Sequence, residues 1–146
     1  MDINTVAPGT GMNELAAEIH QNAVAHGWWE EPRGLPEILM LCVSELAEAL
    51  EEFRDGMPMV YHKCKETLHE DDPQDRIADS SDADCGHCEE CTDRVEKPEG
   101  VAVELADCII RILDYCGHAG IDIERAIRIK HEYNKSRPYR HGGKKC

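Results

Sequence analysis

Ser44-Glu45-Leu46-Ala47-Glu48-Ala49-Leu50-Glu51-Glu52 is the stretch on which the reading of this chain turns. It lies inside a longer helical segment, Leu35 to Asp55, with Pro36 well placed in the first turn. Gly56 and Pro58 close that segment. Its apolar stripe is Ile38, Leu39, Cys42, Leu46, Ala49, Leu50 and Phe53. At ~100° per residue, Glu45, Glu48 and Glu52 fall within ~60° of one another and border the stripe, whereas Glu51 points toward solvent. Three carboxylates therefore line the edge where a partner helix would pack.

A second acidic doublet, Glu104-Leu105-Ala106-Asp107, lies on another strongly apolar segment. This segment starts after Pro98-Glu99-Gly100 and carries Val101, Leu105, Ile109, Ile112 and Leu113. Gly117 is expected to stop it near Cys116. Residues three apart share a helix face, so each doublet presents two carboxylates side by side. Bringing the doublets together concentrates like charge. That is unfavourable unless cations neutralise it or the carboxyl pKa values rise. Mg²⁺ prefers oxygen ligands and often combines carboxylates with substrate phosphates. Taken singly, an E-x-x-E doublet is ordinary helix surface. Two of them on the two most apolar helices carry more weight.

Two further helices are expected. The first runs from about Asn13 to His26, with Leu15, Ile19 and Ala23 four apart and Gly27 ending it. The last starts at Ile121 or Asp122, a suitable N-cap, and runs to about Ser136. On that helix Ile123 and Ile127 form an inward stripe that continues through Lys130, Asn134 and Arg137. These three groups either meet phosphates or snorkel at the helix end and complement its dipole. Trp28 and Trp29 are candidates to stack on a base, the alternative being that they cap the core between the first two helices. Asn22 and His26 lie near the first helix's stripe and read more simply as core-edge groups.

The chain has 146 residues, the length of one ordinary domain, with 41% hydrophobic and 5% aromatic residues. Ala, Leu, Ile and Val must fill the interior, which suits helices. A small helical chain often completes its core with a second copy. The net charge of −14 excludes stable binding to duplex nucleic acid, which needs Lys and Arg against phosphates. The charge is uneven: Gly117 to Cys146 holds eight Lys/Arg and three Asp/Glu. The N-terminus lacks a basic region followed by an apolar run. The longest apolar run, Ile38 to Val43, is too short to span a membrane. A cytoplasmic location with reduced thiols is expected, Cys42, Cys108 and Cys116 reading as small core residues.

With these residues in view, the chain resembles the MazG-like all-α nucleoside triphosphate pyrophosphatases, the superfamily of dCTP pyrophosphatase and dimeric dUTPase. The likeness rests on Ser44 to Glu52, on Val103-Glu104-Leu105-Ala106-Asp107, and on Lys130 and Asn134 followed by Arg137-Pro138. It covers roughly Met12 to Gly56 and Pro98 to Gly143. It implies a bundle of four to five helices, completed as a homodimer or homotetramer. It also implies Mg²⁺, with Mn²⁺ as the alternative, held by Glu45, Glu48, Glu104 and Asp107. Lys130 and Asn134 would then face the triphosphate, with Arg137 and Trp28 as further substrate contacts. Water would attack the α-phosphorus and release pyrophosphate from a (deoxy)nucleoside triphosphate, for nucleotide-pool cleaning or control. Glu48, with Glu45, is the candidate to accept the water proton.

The chain departs from this pattern between the doublets, where residues 57–98 form an insert with twelve Asp/Glu and five Lys/Arg. Glu70 to Asp84 reads as a solvated loop. The insert contains Cys85-Gly86-His87-Cys88-Glu89-Glu90-Cys91, a compact C-x-x-C-x-x-C. Cys64 is the candidate fourth thiolate of a structural Zn²⁺ site, with His62, His69 or His87 as alternatives. An acidic loop with incidental or disulfide-bonded cysteines is the competing reading. A single domain spans 1–146 in this scheme. The rival to the enzyme is a non-catalytic scaffold whose Cys-rich insert binds zinc and a protein partner.

Overall fold

The segments with helical periodicity are helices, and what ends each one is visible in its backbone hydrogen bonds. The computed structural model describes residues 11–63, 77–79 and 97–139; Cys64, Cys85, Cys88 and Cys91 lie outside them. The elements are α1 (Met12–Ala25), α2 (Leu35–Arg54), β1 (Tyr61–Lys63), β2 (Ile77–Asp79), β3 (Pro98–Glu99), α3 (Val101–Ala119) and α4 (Ile123–Lys135). The fold is all-α with one minor sheet. No helix among the described residues is long and apolar enough to cross a membrane. The described residues divide into two units, one within Gly34–Ile112 and the other made of those up to Arg33 together with those from Leu113 on.

In the first unit, Pro36 opens α2 as expected. At the other end of α2, the Gly56 N–H donates to Phe53 O at 3.2 Å and the Met57 N–H to Glu52 O at 3.0 Å. This paired arrangement caps the last carbonyls of the helix. The buried side of α2 is Ile38, Cys42, Glu45 and Ala49. On α3 the buried residues of this unit are Glu104 and Cys108. The thiol of Cys42 reaches the Cys108 carbonyl at 3.8 Å. Small thiols allow close packing here, and burial raises the Cys42 pKa above its ordinary value. Several larger apolar residues of both expected stripes are exposed: Leu39, Leu46, Leu50 and Phe53 on α2, and Leu105, Ile109 and Ile112 on α3, whereas Ile38 and Leu113 are buried.

The insert begins and ends in one antiparallel sheet of order β2-β1-β3. Tyr61 pairs with Asp79 on one side and with Glu99 on the other. The chain thus leaves α2 and returns to α3 through paired strands, which lets a long insertion sit between two helices. Ile77–Asp79 is a strand inside the stretch expected to be a loop. Three residues are too few for periodicity to register, and the strand exists through its pairing with β1. Pro98, which cannot donate to a ladder, sits on the edge strand β3.

Gly100 joins β3 to α3 with φ 111°, a conformation that L side chains rarely adopt. A Cβ there would lie 2.6 Å from the Pro58 carbonyl oxygen and 2.8 Å from that of Met59. The first turn of α3 is then tied by Ala102 N–H to Met59 O at 2.9 Å and Glu104 N–H to Gly100 O at 3.1 Å. These contacts set where Glu104 begins its helix.

The second unit has its own apolar cluster of Ala16, Leu113 and Cys116, with Ile19 and Ile123 against it. Helix α3 does not stop at Gly117 but continues to Ala119, and Gly120 follows at φ 63°. Gly117 serves a packing role instead. A Cβ there would meet Ala16 O at 2.5 Å and His20 Cβ at 2.7 Å, so its missing side chain lets α1 approach α3. Asp122 caps α4 as expected, accepting from Arg125 N–H at 2.9 Å and from Asn13 Nδ2 at 2.8 Å. Beyond Ile123 the expected inward stripe of α4 is not buried: Ile127 is 46% exposed, and Lys130, Asn134 and Arg137 are exposed. Only the first turn of α4 reaches the apolar cluster.

Candidate metal centre

Glu45 on α2 and Glu104 and Asp107 on α3 bring three carboxylate oxygens within 4.8 Å of one another. Local sequence explains how. Glu45 follows Cys42 by one short helical step on the buried side of α2. Glu104 and Asp107 are three apart and share one face of α3. Glu45 is 5% exposed and Glu104 4%, which is unusual for ionisable groups. Glu45 Oε1 accepts from Arg111 Nε at 2.7 Å and is in ion-pair contact with Nη2 of the same guanidinium. Glu104, by contrast, makes no hydrogen bond or ion pair among the described residues. A largely buried carboxylate that faces two others, with Lys97 as the opposing charge, is the feature to be explained.

The electrostatics follow from this geometry. Burial raises the pKa of Glu104, and the charges of Glu48, Asp107 and Glu45 raise it further. Burial also raises that of Asp107, with Glu45 adding to the effect and Lys97 and Arg111 opposing it. Lys97 is itself paired with Glu99 at 3.1 Å on the surface. Glu48 is exposed at the rim, close enough to act on Glu104 but outside the three-oxygen group. Glu52 is half-buried and accepts the Tyr61 hydroxyl at 3.2 Å on both oxygens. Tyr61 is fully buried, and burial beside Glu52 holds its phenol in the protonated form.

The other expected site residues fall in the second unit. Lys130 Nζ and the Arg137 guanidinium lie over the Tyr133 ring at 5.0 and 5.8 Å. Asn134 is exposed. Trp28 is 55% exposed, with the Arg33 guanidinium 5.2 Å from its ring. Trp29 takes the core-capping role instead. Its Nε1–H donates to Asp114 at 3.0 and 3.1 Å, and its ring stacks on His118 at 3.9 Å. His20 Nδ1 lies 2.8 Å from the same Asp114. Asn22 and His26 are exposed, with His26 Nδ1 bonded to the Asn22 carbonyl.

Sequence reasoning missed Arg111, Tyr61 and the His20–Asp114 pair. Arg111 was legible, because Glu104, Asp107 and Arg111 follow i, i+3, i+7 on one helix face. Tyr61 and Asp114 reach their partners through tertiary packing and leave no local pattern. No family model, curated protein or solved structure matches the chain.

Proposed function

We propose that this chain is a Mg²⁺-dependent hydrolase of the MazG-like kind, splitting a (deoxy)nucleoside triphosphate into the monophosphate and pyrophosphate. The observation that carries the reading is the grouping of the buried Glu45 and Glu104 with Asp107, their oxygens within 4.8 Å of one another. Three hard oxygen donors in that arrangement fit Mg²⁺ or Mn²⁺ and suit neither a soft ion nor a neutral ligand. Glu45, Glu104 and Asp107 would hold the ion, with Glu48 reaching in from the rim. A bound Mg²⁺ supplies charge neutralisation of the phosphates and acidifies water.

The chain's own groups do the rest. Glu48, exposed beside Glu104, is the residue free to take a proton from the attacking water. As the water oxygen bonds to the α-phosphorus, the bond from that phosphorus to the bridging oxygen breaks. Pyrophosphate leaves with the electron pair. Burial keeps Glu45 and Glu104 fixed rather than solvated, so little reorganisation is needed on binding. Lys130, Asn134 and Arg137 are assigned to the substrate from the stripe they share on α4 and from the resemblance, and Trp28 from the capacity of its ring to stack on a base.

A homodimer belongs to the same reading. Leu46, Leu50, Phe53, Leu105 and Ile109 are exposed apolar residues of α2 and α3 that a second copy would cover.

The test is to incubate the protein with each common NTP and dNTP plus Mg²⁺ and measure pyrophosphate against orthophosphate. Pyrophosphate with monophosphate, reduced at least ~100-fold in Glu48→Gln, is expected for loss of a general base. No release from any nucleotide by folded protein would favour the non-catalytic scaffold.

A further inference from the structure

We propose that Arg111 serves as a built-in second cation of the carboxylate centre, so that the centre takes one divalent ion and offers a guanidinium to the phosphates in place of another. This rests on the metal-dependent reading above and deepens it.

The inference starts from charge. Glu45, Glu104 and Asp107 together carry −3 when ionised, and their oxygens lie within 4.8 Å. Arg111 adds +1 directly on Glu45 Oε1, through Nε at 2.7 Å and through Nη2. Arg111 thus offsets part of the centre's negative charge from a position a second cation would otherwise take. Glu48, Glu99 and Lys97 stand at the exposed or half-exposed rim, where water and salt screen them.

Geometry points the same way. A guanidinium has five N–H donors, of which the Nε–H is hydrogen-bonded to Glu45. The Arg111 side chain is 32% exposed while that of Glu45 is 6%, so the guanidinium stays accessible to a ligand while it holds Glu45. A planar, permanently charged fork suits phosphate oxygens and loses no charge at neutral pH. Binding to one carboxylate on one edge and to a phosphate on the other is what a second metal does in two-metal phosphoryl-transfer sites.

The experiment is Mn²⁺ titration without nucleotide, counting bound ions from the electron paramagnetic resonance signal of free Mn²⁺. Circular dichroism checks the fold of each variant. One ion per chain is expected for the wild type and for Arg111→Lys, which keeps the charge. Two ions per chain are expected for Arg111→Met, with Arg111→Gln as the substitute if the Met variant does not fold. Two ions in the wild type overturn the inference. One ion in the folded Met or Gln variant also overturns it and makes the Glu45–Arg111 pair a structural tie between α2 and α3. No ion in the folded wild type would instead remove the metal reading itself.

Discussion

At the residue scale, the informative group is Glu104, whose burial costs stability unless something positive faces it. Its pKa and that of Asp107 are raised, so ionisation works against folding. For a carboxylate raised in the folded state, the penalty is full above the folded pKa. It shrinks as pH falls through that value and is gone below the ordinary value, 4.5 for Glu104. Without divalent ions, Glu104→Gln is therefore expected to melt above the wild type at pH 7 by roughly 3–6 °C, as for ~1 kcal/mol of relieved repulsion. The gap should close as pH approaches 4.5. With Mg²⁺ at pH 7 the order reverses, since only the wild type gains binding energy. Differential scanning fluorimetry across pH, with Mg²⁺ or chelator, measures both. A Gln variant that melts below the wild type in chelator at pH 7 would show that Glu104 has a stabilising partner.

At the element scale, two glycines hold α3 where the centre needs it. Gly100→Ala puts a Cβ against two carbonyl oxygens at a positive φ. Such strain is expected to cost ~1–3 kcal/mol, visible as a lower urea midpoint. Because the start of α3 sets Glu104, the same variant should also weaken Mn²⁺ binding. Gly117→Ala forces α1 away from α3, with an expected overpacking cost of ~1–3 kcal/mol. Its contacts, Ala16 and His20, lie in the second unit, so Mn²⁺ binding in that variant should stay unchanged. Equal loss of metal binding in both variants would mean that the centre responds to global stability and not to the placement of Glu104.

At the scale of the whole molecule, the described core is small and much of the apolar surface stays in water. The buried apolar residues include Ala16, Ala49 and three cysteines, while Leu46, Phe53 and Ile109 are 49%, 66% and 56% exposed. Covering such surface is worth ~25 cal/mol per Å², enough to drive association when the patch is contiguous. The wild type is expected to run as a dimer or tetramer by multi-angle light scattering. The double variant Leu46→Glu and Ile109→Glu should run as a monomer with its helical circular dichroism retained. A monomeric wild type at tens of micromolar would sink the oligomer. The net charge of −14 makes non-specific association a poor alternative explanation, because like-charged copies repel.

The sequence by itself determined the helices, because helical periodicity, Pro36, Gly27, Gly56 and Asp122 are local signals acting within one turn. It also paired Glu45 with Glu48 and Glu104 with Asp107, and the resemblance put all four at one ion; the structure groups Glu45, Glu104 and Asp107 and leaves Glu48 exposed. Tertiary structure decided which face of those helices is buried within the chain. Ile38, Cys42, Ala49, Leu113, Cys108 and the acids Glu45 and Glu104 pack inward, while Leu39, Leu46, Leu50, Phe53, Leu105 and Ile109 stay outside. It also separated the two glycines that local sequence treats alike: Gly117 is a contact between helices and Gly120 follows the end of α3. The pairing of Arg111 with Glu45 and the seat of Trp29 on Asp114 were decided there too. The reason is physical: periodicity reports that a helix has a face, and only the neighbouring helix determines which face packs most closely.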